Sequence, residues 1–309
     1  MSESQVHTGV RQVVVPADRA GQRLDNFLLG LLGGVPRSLV YRLVRTGQVR
    51  VNARRAKPMQ KLQAGDEVRV PPVAMRPDLP ARVPDAVIES IRSSVIEANP
   101  DYVVLDKPSG LAVHGGSGLA FGLMDAVAAM KTDWRPVHRL DRATSGLLVL
   151  ACRHASLVAL QRSFARREVD KRYLALLSGE LREDLIIVDQ PLKKIRDSSG
   201  QHRVIVAEDG QSALTRFRVL ERLPGYSYVE ATIETGRTHQ IRAHAAAIGH
   251  PLVGDERYNQ QPPPALVRRL FLHAHYLRLS WPEERIYSSP LPEDLGQALD
   301  QLRTNRVAP

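Results

Sequence analysis

The sequence predicts an α+β protein with two domains, a small basic N-terminal domain and a larger one built on a largely antiparallel mixed sheet. A chain of 309 residues, 43% of them hydrophobic, is long and apolar enough for two cores. Five prolines fall within residues 71–84 and indicate a semi-rigid linker. After this linker, short apolar runs typical of strands outnumber helical patterns. We therefore expect domains at residues 1–75 and 87–309, with a linker at 76–86.

The N-terminal domain is predicted to contain two helices packed on a small sheet. Leucines recur at helical spacing from Leu24 until Gly33-Gly34 ends the run. Pro36 is well placed to begin a second helix, which Gly47 ends. Three strands are expected, at Val13–Val15, Val49–Val51 and Val68–Val70.

The positive charge of the chain is concentrated in this N-terminal region. The whole chain has a net charge of +10, and residues 1–75 contain 12 Arg and Lys against 5 Asp and Glu. No acidic residue occurs from 26 to 65, which favours nucleic acid as partner because interspersed acids would repel phosphates. A solvated basic face is the alternative, and the lack of bulky aromatics beside the charge argues against a membrane surface. The predicted RNA contacts here are Arg37, Arg42, Arg45, Arg54, Arg55 and Lys57.

The larger domain is predicted from a succession of apolar runs. Strands are expected at Tyr102–Leu105, Gly146–Ala151, Arg172–Leu177, Leu214–Leu220 and Tyr228–Ile233. Helices are expected at Ser156–Phe164 and Thr238–Ile248, the second ended by Gly249.

Asp141 lies between two arginines in the segment HRLDRATSG (138–146), directly before a predicted buried strand. Positive neighbours stabilise an ionised carboxylate, the form that a nucleophile or a charge-stabilising group needs at neutral pH. Loops of this kind are common, however. From these residues alone, a structural carboxylate that ties down the turn through Thr144 and Ser145 is the better interpretation.

A second polar segment, ETGRTHQIRAH (234–244), joins a predicted strand to a predicted helix. Thr235 or Thr238 could cap this helix, and Arg237 adds positive charge at an end that favours phosphate. His239 and Arg242 are three residues apart, so they share one helix face, which we expect to turn toward a cleft.

A metal site and a role for Tyr173 both find little support in local sequence. His239, His244 and His250 match neither an HExxH spacing nor a Cys/His set, so metal binding is disfavoured. Tyr173, in KRYLAL (171–176), is by itself a core or edge tyrosine of a strand.

Taken together and in order, these segments resemble a known enzyme family. HRLDRATSGLLVLA, KRYLAL and ETGRTHQIRAH, followed by GHPLVGDERY and LFLHAHYLRL, are similar to the RluA family of pseudouridine synthases from about Val95 to Leu279. RLDNFL, VPRSLVYRLVRTGQVRVN and LQAGDEVRV resemble the S4 RNA-binding domain. DKPSGLAVHGGSG (106–118) is most similar to the C-type branch, which modifies large-subunit (23S) ribosomal RNA. Two positions depart from the family pattern: Ala143 stands where an acid is usual, and Gln211 where a lysine is usual.

The resemblance implies a role for each site residue. Asp141 would attack or otherwise activate a flipped uridine, and Arg242 would pair with Asp141. Tyr173 would pack against the target base and assist removal of the C5 proton. Arg139 would fill the space that the flipped base leaves, and Arg237 and His239 would contact RNA.

The resemblance also implies the cofactors and partners. The isomerisation needs no cofactor and no metal. The expected partner is 23S ribosomal RNA or an assembling large subunit. The enzyme is expected to act as a monomer, and no membrane is expected as a partner.

Two other classes of function stay open at this point. An RNA-binding assembly factor could use the same cleft without catalysis. A nuclease or RNA glycosylase could use the carboxylate for hydrolysis, although a nuclease would normally show a cluster of metal-binding carboxylates. We expect the protein to be located in the cytoplasm. The chain has a single cysteine, its N-terminus lacks a signal-peptide core, and no apolar run reaches roughly 20 residues.

Overall fold

The computed structural model describes residues 9–32, 35, 37–73, 83–115, 121–196, 202–265 and 267–304, except for the side chains of residues 37 and 38. The chain divides into two compact units, Met1–Arg82 and Val83–Pro309. Most of the predicted linker lies outside the described residues, and a helix begins at Asp85, within the last two linker positions.

The first unit contains the predicted two helices and small sheet. Its elements are β1 (Arg11–Val14), α1 (Leu24–Leu32), α2 (Arg37–Arg45), β2 (Arg50–Val51), β3 (Arg54–Arg55) and β4 (Glu67–Val70). The strands pair in the order β1-β4-β2-β3, all antiparallel. Leu24, Leu28, Val40 and Val68 are fully buried between helices and sheet, because the apolar positions of each element face one another.

A buried carboxylate joins the two helices of this unit. Asp25 of α1 is fully buried and accepts hydrogen bonds from the Arg23 guanidinium and from the Tyr41 hydroxyl of α2, the latter at 2.9 Å. Because each of these bonds involves a charged partner, Asp25 can lie inside the unit without an unpaired charge. The relative position of α1 and α2 is thereby fixed.

The second unit is built on a large mixed sheet with helices at its surface. Its helices are α3 (Asp85–Ser93), α4 (Leu123–Ala129), α5 (His154–Ala165), α6 (Gln240–Ala247) and α7 (Glu293–Thr304). Its strands are β5 (Val95–Ala98), β6 (Tyr102–Lys107), β7 (Arg135–Pro136), β8 (Ser145–Ala151), β9 (Asp170–Ser178), β10 (Leu185–Asp189), β11 (Leu192–Arg196), β12 (His202–Val206), β13 (Leu214–Leu223), β14 (Tyr226–Ile233), β15 (Leu272–Leu279) and β16 (Arg285–Ser288).

The main sheet has the strand order β10-β13-β14-β9-β15-β8-β6-β5, with β16 beside β15 and β7 beside β8. Its ladders are antiparallel except that between β15 and β8. β11 and β12 form a separate hairpin. The α+β class with a largely antiparallel mixed sheet is therefore confirmed. Among the described residues, no helix has the length and apolar character that a membrane crossing requires.

The centre of this sheet opens where β8 meets β15. The two strands pair over only two positions, at Ser145 and Gly146, after which β7 pairs with β8 instead. Gly146 has φ +112°, and a Cβ there would lie 2.3 Å from the carbonyl oxygen of Ala274. Only glycine permits so close an approach with this backbone. The loop that carries Asp141 enters the sheet at this point.

Candidate active site

One cleft of the second unit is lined by the three segments singled out from the sequence. Arg139, Asp141 and Thr144 come from the loop before β8, and Tyr173 from β9. The segment before α6 and its first turn complete the wall, with Gly236, Arg237, Thr238, His239, Gln240, Ile241 and Arg242. The fold therefore brings together all six site residues predicted in this domain, although they are spread over about a hundred positions of the chain.

The Asp141 carboxylate is directed toward Arg242 of α6 and not toward its own turn. Its side chain is 16% exposed, and Oδ2 accepts a hydrogen bond from Nη1 of Arg242 at 3.3 Å. The turn is closed instead by the Thr144 backbone N–H, which donates to the Asp141 carbonyl oxygen. Ser145 bonds to His273 and Arg269. The interpretation of Asp141 as a carboxylate that ties down its turn through Thr144 and Ser145 is therefore wrong.

Arg242 is held between two carboxylates. Its Nε and Nη2 donate to Asp255 at 2.7 Å each, while Nη1 reaches Asp141. Asp255 is fully buried, and its Oδ1 also accepts the backbone N–H groups of Arg257 and Tyr258. Burial opposes the charge on Arg242, but the hydrogen bonds with Asp255 and the two negative charges raise the pKa of the guanidinium. The guanidinium is thus fixed in orientation before any ligand binds.

Asp255 is a site residue that the sequence reasoning did not single out. It lies in GHPLVGDERY, a segment used only to support the family resemblance. The one local signal was an acidic residue beside a glycine within an apolar stretch, which is also typical of a turn.

Tyr173 forms an apolar wall of the cleft with a polar end. Its ring belongs to the core around β9 and is 7% exposed. Within the described residues its hydroxyl makes no hydrogen bond, so the group is available to a ligand. Burial, reinforced by the charge of Asp141, raises the pKa of this hydroxyl well above its usual value. The phenol is therefore neutral at physiological pH.

His239 precedes α6 in a left-handed conformation, with φ +52°. The helix accordingly begins at Gln240, two residues later than predicted. Neither threonine caps it: the Thr235 hydroxyl donates to the Gln240 side chain, and no side-chain cap is present. The Nε2 atom of His239 lies 3.7 Å from Oδ2 of Asp141. Burial lowers the pKa of His239 to about 4 despite the opposing charge of Asp141, so the imidazole is neutral.

Arg139 and Arg237 lie exposed at the rim of the cleft. Arg237 donates from Nε to the carbonyl oxygen of Ser212, which leaves the rest of its guanidinium open to solvent. Arg139 makes no hydrogen bond or ion pair from its side chain within the described part of the chain. Both are therefore placed where a polyanion that enters the cleft would pass.

The histidines of this region are bonded within the protein. His244 contacts the Thr215 hydroxyl and the carbonyl oxygen of Gln190, and His250 contacts the carbonyl oxygen of Ser178. No group of three or more His, Cys, Asp or Glu that could hold a metal ion occurs among the residues described.

Five of the six predicted RNA contacts of the first unit are exposed side chains. Arg42, Arg45, Arg54, Arg55 and Lys57 are exposed, and none of them forms an ion pair within the described residues. The side chain of Arg37 lies outside the described residues. Unpaired cations at a surface are free to neutralise phosphates.

The fold and this cleft are those of an RNA-modifying enzyme. The chain belongs to the RNA pseudouridylate synthase family, whose model matches residues 101–247, and an S4 domain matches residues 22–68. It is thus an enzyme that isomerises uridine in RNA to pseudouridine, and its first unit contains an RNA-binding domain. The family resemblance inferred from the sequence motifs is confirmed.

Full-length relatives and solved structures agree. "Ribosomal large subunit pseudouridine synthase C" of Haemophilus ducreyi is 40% identical over 99% of this chain and 99% of its own length. The protein of the same name from Escherichia coli K12 is 40% identical over 96% of this chain and 98% of its own length. The structure titled "Human RNA Pseudouridylate Synthase Domain Containing 4" is 25% identical and covers 71% of this chain and 96% of its own, with a TM-score of 0.60. The structure titled "Human RNA Pseudouridylate Synthase Domain Containing 1" is 28% identical and covers 72% of this chain and 97% of its own, with a TM-score of 0.56.

Proposed function

We propose that this enzyme converts uridines of large-subunit (23S) ribosomal RNA into pseudouridine, with Asp141 as the catalytic carboxylate. The observation that carries the assignment is the chain of charges Asp141–Arg242–Asp255 at the base of a cleft that also contains Tyr173. The full-length relatives with "ribosomal large subunit" in their names support the choice of RNA.

The reaction redistributes bonds without changing composition. The bond between N1 of uracil and C1′ of ribose breaks, the base rotates, and C5 becomes bonded to C1′. The proton leaves C5 and N1 gains one, so neither an oxidant nor a group donor is consumed. Asp141 supplies the negative oxygen, which attacks either the ribose or the base. No step requires a cofactor or a metal ion.

Arg242 keeps the catalytic carboxylate charged and in place. A charge inside a cleft that excludes water interacts more strongly with its partner than it would in solvent. Because Asp255 already binds Nε and Nη2 on one edge of the guanidinium, Arg242 need not reorganise when substrate binds. The third nitrogen, Nη1, is therefore presented to Asp141 in a set position.

Tyr173 is suited to pack against the flipped base and to act late at C5. Its neutral phenol cannot take a proton while burial and the charge of Asp141 hold its pKa high. Formation of a bond between Asp141 and the substrate would remove that negative charge, and with it one cause of the raised pKa. Proton removal assisted by Tyr173 would then follow the covalent step.

The S4 domain supplies much of the binding energy for RNA. Flipping a base out of its stack costs a few kcal/mol. Contacts between phosphates and Arg37, Arg42, Arg45, Arg54, Arg55 and Lys57 would offset that cost, while Arg139 occupies the vacated space and Arg237 contacts the backbone. We further propose that the enzyme acts as a monomer in the cytoplasm, with rRNA or an assembling large subunit as its partner.

Replacement of one carboxylate tests the catalytic assignment. Asp141→Asn keeps the shape of the side chain and removes its charge, so tritium release from C5-labelled uridine in 23S rRNA should fall to background. RNA affinity should stay within about twofold, and Asp133→Asn, at an exposed position of the same unit, should be fully active. Turnover by the Asp141→Asn protein would overturn the mechanism, and free uracil in the supernatant would indicate a glycosylase instead.

Mapping of pseudouridines tests the substrate. In 23S rRNA from cells that lack this gene, at least one large-subunit pseudouridine should be absent, and a plasmid copy of the gene should restore it. The Asp141→Asn gene should not. An unchanged map would exclude large-subunit rRNA as the substrate.

A further inference from the structure

Tyr258 links His239 to the base of the cleft and to the β11–β12 hairpin. Its hydroxyl accepts the backbone N–H of Val204 in β12 at 3.0 Å and lies 3.1 Å from Nδ1 of His239. Its ring is 5.2 Å from the guanidinium carbon of Arg242. Tyr258 therefore touches both residues that face Asp141 from α6 and its N-terminal side.

These contacts favour one tautomer of His239. A carboxylate oxygen can only accept a hydrogen bond, so Nε2, which faces Asp141, is the ring nitrogen expected to carry the proton, and the Tyr258 hydroxyl then donates its own proton to Nδ1. Within the described residues, Nδ1 of His239 is the one acceptor in range of that proton. A neutral imidazole that accepts at Nδ1 carries its proton on Nε2. The pKa of about 4, lowered mainly by burial, keeps the ring neutral. The Nε2–H group is thus the one that faces Asp141.

Two donors then converge on a single oxygen of the catalytic carboxylate. Arg242 Nη1 lies 3.3 Å and His239 Nε2 lies 3.7 Å from Oδ2, whereas Oδ1 accepts no hydrogen bond from the described residues. We infer that His239, held in its Nε2–H tautomer by Tyr258, is a positioning residue that restrains Oδ2 and so presents Oδ1 to the target nucleotide. The inference rests on the proposed function. Polar contacts of this length in an empty site commonly shorten when substrate binds.

This role differs from the RNA contact expected for His239 from the sequence. Only 15% of the side chain is exposed, and both ring nitrogens are directed at protein groups. The hairpin also contributes to the site, because the Val204 N–H donates to the Tyr258 hydroxyl and so holds it beside His239.

Kinetics of variants in the full-length protein test the role. At saturating rRNA, His239→Ala should lower the single-turnover rate 10- to 100-fold, the range expected when a reacting group loses its alignment, with RNA affinity within about twofold. His239→Gln should stay within about fivefold of wild type, because its amide can place an N–H near the former Nε2. Tyr258→Phe should fall between these two. His154→Ala, at an exposed position on α5, should match wild type.

Nitrogen NMR of labelled histidine gives a readout independent of turnover. In the wild-type protein His239 should show the Nε2–H tautomer alone, and in Tyr258→Phe a mixture of both tautomers. An Nδ1–H tautomer in the wild type, a His239→Gln rate as low as that of His239→Ala, or a loss of affinity with an unchanged saturating rate would each overturn the inference. If wild-type protein made no pseudouridine in 23S rRNA, the proposed function would fail, and the spectrum would still decide the orientation of His239.

Discussion

Replacement of Asp255 by asparagine should destabilise the second unit far more than the same change at Asp141. Asp255 is completely buried and accepts four N–H groups, two from Arg242 and two from the backbone. An amide offers one accepting oxygen and turns its own N–H groups toward the guanidinium. Removal of one partner from a buried pair costs about 3–5 kcal/mol. For a unit of this size that corresponds to a decrease in Tm of roughly 6–20 °C.

Tryptophan fluorescence can follow this unfolding in the intact chain. Both tryptophans, Trp134 and Trp281, lie in the second unit, so the signal does not report on the S4 domain. Asp294→Asn is the matched control, because Asp294 also forms a two-bond pair with an arginine but is 56% exposed. An exposed pair contributes about 0–1 kcal/mol, so this control should melt within a few degrees of wild type.

Activity should fall together with stability in the Asp255→Asn protein, for a separate reason. Without Asp255, Arg242 loses the contacts that direct Nη1 at Asp141, and turnover at a temperature where the protein is folded should decrease about 100-fold. A Tm equal to that of the Asp294→Asn control would refute the stability reasoning. Wild-type turnover would show that Asp255 does not position Arg242.

Three further perturbations test other parts of the molecule. Tyr173→Phe should leave the free energy of unfolding within about 1 kcal/mol of wild type, since the hydroxyl has no partner in the described residues, yet reduce tritium release at least about 100-fold. A nearly active variant would remove Tyr173 from the chemistry. Simultaneous change of Arg54, Arg55 and Lys57 to glutamine should make the plot of log affinity against log salt shallower by about 2–3 in slope, without effect on the saturating rate. An unchanged slope would place the phosphate contacts elsewhere. Burial lowers the pKa of His138 to about 3, so the unfolded chain takes up this proton from pH 6.5 downward while the folded one does not. The free energy of unfolding should therefore decrease by about 2 kcal/mol as the pH falls from 7 to 5 because of His138. Urea titration should measure this decrease in the wild type and not in His138→Gln.

The parts of the fold that the sequence predicted well are those with strong local signals. The run GLLVLA predicted β8 to within one residue, because a strand buried on both faces is apolar at every position. The β11–β12 hairpin was not predicted. Its strands read LKKIR and HRVIV, in which charge interrupts any apolar alternation, and their pairing depends on packing against α6.

For the site, the sequence predicted which residues belong to it better than it predicted the partners that each residue contacts. Asp141, Tyr173 and Arg242 were named from motifs, and the structure places them in one cleft. Local sequence alone favoured a structural carboxylate at Asp141, because the partners that engage it lie about a hundred residues further along. The predicted start of α6 was two residues too early, because tertiary contacts hold His239 in a left-handed conformation. That conformation cannot be predicted from a histidine in the sequence.

The position of β15 has a consequence for how the enzyme is made. In the sheet β15 lies between β9, which carries Tyr173, and β8, which follows Asp141. In the chain it comes about ninety residues after β9, and the ribosome therefore releases it last of the three. Until then, the strand that carries Tyr173 and the strand that follows Asp141 have no strand between them to set their separation. The S4 domain can therefore fold on the nascent chain before the cleft that holds Asp141 and Tyr173 is complete.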